Sequence, residues 1–312
     1  MKRAEGINFY DYNKRHNEWK CVNIMIDTIK NQLDKMNINY DQITNLRSKD
    51  GVHLYKIQDC DKRYVLKYFE NAEFRREIKN YLILQELNVL TIPLIAYTGE
   101  AILMDDISHS SDMRLAVKDD MSNPDICFTL GKWYKNLHEN GKEYVKLNGD
   151  GMYMETDCIT FENIQIIKQK TDTSDNLVWK AIEEKLDYLR ELIDKTEKTL
   201  TYNDFYYTNM AVSKKHGAFM FDYNLLGKGY IASDIKNVTV QLSEDGKNAF
   251  LKGYGQHNKK EELMHEVAGS LVALCFACQR EVFPEWGYEE LEVIKNGILL
   301  ENIEKLCREL GD

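Results

Sequence analysis

Thr201-Tyr202-Asn203-Asp204-Phe205-Tyr206-Tyr207-Thr208-Asn209-Met210-Ala211-Val212 opens the stretch that decides how this chain reads. A polar turn, Ser213-Lys214-Lys215-His216-Gly217, comes next, followed by Ala218-Phe219-Met220-Phe221-Asp222. Two apolar runs around a turn of Ser, Lys and Gly predict a short β-hairpin. Asp204 and Asn209 precede the first run, and Asp222 ends the second. The hairpin therefore carries two carboxylates and one carboxamide on its ends.

Phosphoryl transfer to a hydroxyl needs this inventory. One carboxylate accepts or orients the attacking hydroxyl, while a carboxamide and a second carboxylate hold Mg²⁺ on the phosphates. Asp204-x-x-x-x-Asn209 has the interval of the kinase catalytic loop, and Asp222-Tyr223-Asn224 stands where kinases carry Asp-Phe-Gly. The stretch resembles more closely the aminoglycoside phosphotransferase and choline kinase family. That pattern runs His-Gly-Asp-x-x-x-x-Asn, then Ile-Asp-aromatic-Glu, then an Asp followed by an apolar residue, here Asp234-Ile235. Two departures stand out. The usual His is Tyr202, so its backbone-bracing task falls to other groups. The residue two after Asp222 is Asn224, neither Gly nor Glu. Either change fits a divergent active kinase or a weakened one that only binds nucleotide.

The resemblance implies an α+β, two-lobed protein kinase-like fold. A small antiparallel-sheet lobe would span residues 1–104 and a mainly helical lobe residues 105–312. It also implies roles: Asp204 as catalytic base, Asn209 and Asp222 as Mg²⁺ ligands, and Asp234 as a brace for the catalytic loop. The phosphoryl donor would be ATP or GTP, and the acceptor a hydroxyl of a small molecule. A protein kinase fits less well. Only Tyr223 to Ser233 separates Asp222 from Asp234, and no Ala-Pro-Glu lies there.

Upstream, residues 16–36 read as a helix, with Trp19, Val22, Ile26, Ile29 and Leu33 at intervals of three or four. Val52–Ile57 and Tyr64–Phe69 around Asp59-Cys60-Asp61-Lys62 predict an antiparallel pair. The turn before it, Ser48-Lys49-Asp50-Gly51, sits where a kinase phosphate-covering loop would be. With Gly51 as its only glycine, an ordinary turn explains it equally well. Lys67 lies inside an apolar strand, where an ammonium group is seldom buried unpaired. In kinases such a lysine contacts the α and β phosphates and is held by a Glu of the next helix. Glu77 is placed for that, in the first half of a helix with Phe74, Ile78, Tyr81, Leu82 and Leu87 on one face. Arg76-Glu77-Ile78-x-x-Tyr81-Leu82-x-Leu84 is similar to the family's Arg-Glu-x-x-x-x-x-x-Leu element. The alternative is a lysine at a sheet edge snorkelling to water. Ala101–Ile107 resembles the family's hinge, which implies that the backbone of Met104, Asp105, Asp106 and Ile107 reads adenine.

Downstream, Asn123-Pro124 is a good helix start, and Ile126, Leu130, Trp133 and Leu137 mark one face of a helix ending at Leu137-His138, with His138 structural. A second helix, near 175–195, turns Val178, Ile182, Leu186, Leu189 and Ile193 inward. Lys146–Asp175 reads as polar, with a turn at Gly149-Asp150-Gly151. Beyond Asp234 two stripes, Met264/Val267/Leu271/Leu274/Cys278 and Leu291/Ile294/Ile298/Ile303/Leu306, predict core helices. In the family, helices of this region close over the acceptor. The Glu281–Glu290 segment is acidic and aromatic, which suits either a bound cation or a solvated helix start.

Composition bounds the rest. Hydrophobic residues make up 43% and charged residues 29% of 312, as in a soluble globular protein. A net charge of −10 argues against nucleic-acid or anionic-membrane partners and is compatible with a cationic acceptor. Met1 to Ile7 lacks an apolar signal core, so a cytoplasmic location is expected. Seven cysteines are scattered, and Cys275 and Cys278 lie in an apolar helical run, which suits buried free thiols. Aminoglycosides, choline-like alcohols, sugars and amino-alcohols all stay open as acceptors.

Overall fold

The computed structural model describes residues 24–310. Trp19 and Val22, part of the first expected helix, lie outside the described residues. The chain forms two compact units. Of the described residues, one holds those up to Leu82 together with Thr91–Ser111; the other holds Ile83–Leu90 and those from Asp112.

The first unit is built on a five-stranded antiparallel sheet in the order β1-β2-β3-β5-β4. The strands are β1 (Gln42–Lys49), β2 (Val52–Asp59), β3 (Lys62–Phe69), β4 (Leu94–Tyr97) and β5 (Ala101–Asp105). Asp50 and Gly51 alone connect β1 to β2, both at positive φ, 53° and 77°. Such a turn matches the twist of the flanking strands. Side chains alternate between the faces of a strand, and the core follows that period. Leu66, Tyr68, Ala101 and Leu103 pack with Tyr55 and Ile57 on one face, covered by Ile29 and Leu33 of helix α1 (residues 24–35). Gln32 of α1 fixes it further, donating to Glu100 at 2.8 Å and accepting from Thr98 at 2.6 Å. The first helix is thus a lid on the sheet. Lys67 and Phe69 take the opposite face, beneath helix α2 (Arg76–Glu86).

The second unit is mainly helical: α3 (Pro124–Asn148), α4 (Phe161–Lys170), α5 (Val178–Lys195), α6 (Ile231–Thr239), α7 (Glu244–Tyr254), α8 (Lys259–Gln279), α9 (Glu285–Lys295) and α10 (Ile298–Leu310). Asn123 caps α3, accepting the Asp125 and Ile126 N–H groups, with Pro124 in the first position. α3 does not stop at Leu137-His138 as expected. It runs on to Asn148, because Gly141, Tyr144 and Val145 continue its buried or half-buried face. α4 lies in a stretch that reads as polar. Ile164 and Ile167 are its buried residues, and Thr160 caps it. α8 is buried on several sides, from Leu263 to Cys278, and forms the spine of the larger core with Trp179, Ile182, Leu186 and Ile294. Ile298, expected in that core, is exposed, and Leu299 is buried in its place. Cys275 and Cys278 are buried free thiols. No helix of the described residues is long and apolar enough to cross a membrane.

Two small antiparallel sheets hold the stretch at 201–222. β6 (Met113–Leu115), β8 (Met210–Ser213) and β9 (Gly217–Met220) form one, and β7 (Thr199–Thr201) pairs with β10 (Gly227–Gly229) in the other. The expected hairpin is β8–β9, in register Met210 with Met220 through Ser213 with Gly217. The Ser213 hydroxyl accepts the N–H groups of Lys215 and His216 to close its turn.

α3 crosses α7 at backbone contact. A Cβ on Gly131 would meet the Phe250 carbonyl oxygen at 2.2 Å, and one on Gly253 would meet that of Phe128 at 2.0 Å. The two glycines are reciprocal, and the crossing places His138 and Tyr254 side by side. Gly131→Ala should lower the unfolding free energy by about 1–3 kcal/mol or more, read from urea denaturation. An unchanged midpoint would show that the crossing tolerates a methyl group.

Candidate active site

In the sheet unit, Lys67 and Glu77 meet as an ion pair. Nζ lies 2.6 Å from Glu77 Oε2, and both side chains are buried, with relative exposures of 9% and 1%. The alternative of an edge lysine reaching to water does not apply, since β3 is a central strand with β2 on one side and β5 on the other. Two charges taken out of water are costly unless paired, so each residue fixes the other. Nζ also sits 5.6 Å from the centre of the Phe69 ring.

Gly51 lies in the β1–β2 turn, and its carbonyl accepts the N–H groups of Glu70 and Asn71. At the end of β5, the Asp105 N–H donates to Pro93 O at 3.2 Å and the Asp106 N–H to Arg63 O at 3.1 Å. Those two donors are used within the unit, so an adenine contact would fall to other backbone groups of Met104–Ile107. The Asp106 carboxylate accepts the Ser108 N–H at 3.1 Å and pairs with Lys56 at 3.1 Å. Burial works to raise its carboxyl, but the Ser108 and Lys56 hydrogen bonds outweigh it and hold it below the usual range.

In the helical unit the stretch at 201–222 hangs from one buried carboxylate. Asp234, in the first turn of α6, accepts the Tyr202 N–H at 2.7 Å and the Asn203 N–H at 2.9 Å. The same carboxylate accepts from His138 Nε2 at 3.0 Å, and His138 Nδ1 meets the Tyr254 hydroxyl at 2.9 Å. His138 is 0% exposed and Asp234 1%. Asn203 sits at φ +66°, a left-handed conformation. It occupies the glycine position of the His-Gly-Asp pattern, a third departure that the sequence reading passed over. Asn is one of the few residues that tolerates this backbone. Its carboxamide donates to Leu225 O at 3.0 Å.

Tyr202, in place of the usual His, is fully buried and tied down differently. Its hydroxyl donates to Phe221 O at 2.5 Å. One residue thereby links the loop before Asp204 to the strand that ends in Asp222. Its ring packs edge-on against Trp133, Tyr134 and Tyr223.

Asn209 and Asp222 come together because the β8–β9 ladder continues past the strands. The Phe221 N–H donates to Asn209 O at 2.9 Å. The Asn209 carboxamide donates through Nδ2 to Asp204 Oδ2 at 3.1 Å. Its Oδ1 is a hard oxygen of the kind Mg²⁺ accepts. Asp222 is at φ +65°, a backbone strain of the kind that recurs at functional sites. A carboxamide and a carboxylate oxygen fit Mg²⁺ as a donor set.

Asp204 also lines a cavity of about 810 Å³ inside the helical unit. This volume is in the range of small-molecule sites. Its wall includes Glu155, Tyr206, Tyr230, His265, Trp286 and Glu290. The sequence reading assigned none of these to the site. The single available signal was the acidic and aromatic Glu281–Glu290 segment. Half-buried His265 meets the Tyr230 hydroxyl at 2.9 Å, and desolvation together with the Lys236 charge pushes its imidazole down to about 4, so it is neutral at pH 7. For Glu155, burial and then the charges of Asp234 and Asp204 push the carboxyl up to about 8.

The shift of Glu155 has a sign. Its folded-state value lies above that of the unfolded chain, about 4.3. The stability it confers is fully present below that value and is lost as pH rises through about 8. Glu155→Gln removes the titration. Relative to wild type, the variant should gain on the order of 4 kcal/mol between pH 5 and pH 9, measured by urea unfolding at each pH. Parallel pH profiles for the two proteins would show that Glu155 is solvated.

No curated protein matches the sequence. Solved structures match in fold. A choline kinase, LicA, from Streptococcus pneumoniae superposes with a TM-score of 0.61 at 12% identity, over 90% of this chain and 99% of that one. Macrolide 2'-phosphotransferase MphH from Brachybacterium faecium gives 0.56 at 14% identity, over 80% and 91%. A Plasmodium vivax ethanolamine kinase gives 0.55 at 12% identity, over 84% of each. At these identities the likeness is one of fold, and it gives this chain the kinase-like α+β architecture. A sequence model of the phosphotransferase enzyme family matches residues 47–269. That span takes in the Lys67–Glu77 pair and the whole stretch from Tyr202 to Asp234 and covers well over half the chain, which therefore belongs to the phosphotransferase enzyme family.

Proposed function

We propose that the protein transfers the γ-phosphoryl group of ATP or GTP to a hydroxyl of a small molecule, a cationic one among the candidates. The observation that carries this reading is the position of Asp204. Its carboxylate is hydrogen-bonded by Asn209 and faces a cavity of about 810 Å³. The acceptor hydroxyl lies at Asp204. Its oxygen forms the new bond to the γ-phosphorus as the bond from that phosphorus to the bridging oxygen breaks. The hydroxyl proton passes to the Asp204 carboxylate, and the nucleoside diphosphate leaves with the bridging oxygen.

Asn209 and Asp222 would hold Mg²⁺, which when bound neutralises charge on the donor phosphates. Lys67 holds the α and β phosphates, and Glu77 keeps the Lys67 ammonium aimed. The Gly51 turn covers the phosphates, and the backbone of Met104, Asp105, Asp106 and Ile107 reads the adenine edge. Asp234 keeps the loop before Asp204 in its left-handed turn. A nucleotide donor is supported by related folds, since LicA also crystallises with AMP and aminoglycoside phosphotransferase APH(2'')-Ib with ADP.

The two aspartates should fail differently. Asp204→Asn keeps the shape but cannot take a proton, so turnover should fall by about 10²–10⁴-fold with Mg·nucleotide affinity nearly unchanged. Asp222→Asn replaces a charged hard ligand by a neutral one, so nucleotide affinity should fall together with turnover. Calorimetric titration of each variant beside an activity assay separates them. Loss of binding in Asp204→Asn with binding retained in Asp222→Asn would reverse the assignment.

A further inference from the structure

Cys275 and Cys278 stand in the sequence as a Cys-x-x-Cys, but the helix keeps them apart. Both lie inside α8, where residues three apart hold their Cβ atoms about 5–6 Å from each other. A disulfide needs about 3.5–4.5 Å. The partner of Cys275 comes from another part of the chain. A short 3-10 turn, Glu155–Cys158, ends in a cysteine that packs against the core through which α8 runs. The Cys158 and Cys275 thiols hydrogen-bond each other, and Cys275 Sγ also reaches Cys158 O at 3.8 Å. Gln279, one turn further along α8, donates Nε2 to Cys275 Sγ at 3.7 Å. Cys275 is buried and Cys158 half-buried.

These contacts divide the thiols into two roles. The Cys158 hydrogen bond, with Gln279 adding to it, lowers the Cys275 thiol against the effect of burial. The same bond, then burial and the Cys275 and Glu155 charges, raises the Cys158 thiol. Burial raises Cys278 as well. The thiolate is the nucleophile, so Cys275 is the first of the three to react and Cys158 is the thiol beside it. A thiolate poised next to a resolving cysteine is the arrangement of a redox-sensitive site. The position of the pair matters too. Glu155 and Thr156 of the turn and Val272, Phe276 and Gln279 of α8 all line the cavity at Asp204.

We propose that Cys158 and Cys275 are a peroxide-sensitive modification site, whose disulfide staples the Glu155 turn to α8 and stiffens that wall of the cavity. The peroxide reaches Cys275 past Gln279. The Cys275 thiolate attacks one peroxide oxygen, the O–O bond breaks, and a sulfenic acid forms as hydroxide leaves. The Cys158 sulfur then attacks Cys275 Sγ, the S–O bond breaks, and a second hydroxide leaves. The two sulfurs give up two electrons to the peroxide, and the two thiol protons end in two waters. The site needs no part of the proposed phosphoryl transfer.

The test treats the folded protein with a small molar excess of hydrogen peroxide and maps its peptides without reduction. Wild type should yield a 158–275 cross-link. The link closes a loop of about a hundred residues, so the melting temperature should rise by about 5–10 °C. Amide hydrogen exchange in the Glu155–Cys158 turn should slow, and dithiothreitol should reverse both effects. Cys158→Ser should lose the link and the rise, whereas Cys278→Ser should keep them. The proposal is overturned if folded wild type gives no 158–275 link or links Cys275 to Cys278 instead. It is equally overturned if the rise persists in Cys158→Ser, or if the linked protein melts no higher and exchanges no more slowly than the reduced one.

Discussion

One carboxylate holds the stretch at 201–222 in place. Asp234 takes the N–H groups of Tyr202 and Asn203 and the ring of His138. Three helices meet there: α6 brings Asp234, α3 brings His138, and α7 brings Tyr254 behind it. The backbone at Asn203 is in a left-handed turn, which an ordinary loop would not hold. Each buried N–H left unpaired would cost about 1–3 kcal/mol, so the loop can adopt its turn only while Asp234 is present. The position of Asp204 is therefore set by helix packing, down to the two glycines that let α3 and α7 touch.

Tyr202 extends the same logic. The phenol reaches Phe221 O and joins the Asp204 loop to the strand ahead of Asp222. A departure from the family pattern at this position is thus compensated within the same side chain. Asn203 is a second compensation, a residue able to hold the turn that the pattern gives to glycine. Lys67 and Glu77 obey a comparable constraint in the sheet unit, where each buried charge is paired with the other.

Much of this was legible in the sequence. The hairpin, the Asn123-Pro124 helix start and the core stripe through α8 follow from period and chemistry, the Lys67–Glu77 pair from the resemblance to kinases, and the structure has them. What was not legible has physical reasons. α4 buries little besides Ile164 and Ile167, so its stripe is too thin to stand out among Lys, Gln and Glu. The end of α3 was misread because helix continuation past His138 depends on packing of Gly141 against β7. The cavity residues come from the Glu155 turn, α6, α8 and α9, and only tertiary folding brings them together. Glu155 looks like any surface glutamate until burial and the neighbouring Asp234 and Asp204 raise its carboxyl. The cavity also carries unmatched buried oxygens on Thr156 and Glu290.

The central claim is that this scaffold binds a nucleotide through a metal. The most direct measurement is the melting temperature with ATP or GTP at millimolar concentration, with Mg²⁺ and again with the metal chelated. Ligand that binds only the native state stabilises it by mass action, about 2.7 kcal/mol at a hundredfold excess over Kd. The account predicts a rise of several degrees with Mg²⁺ for at least one nucleotide, and its loss on chelation. No rise with either nucleotide in the presence of Mg²⁺ would contradict it.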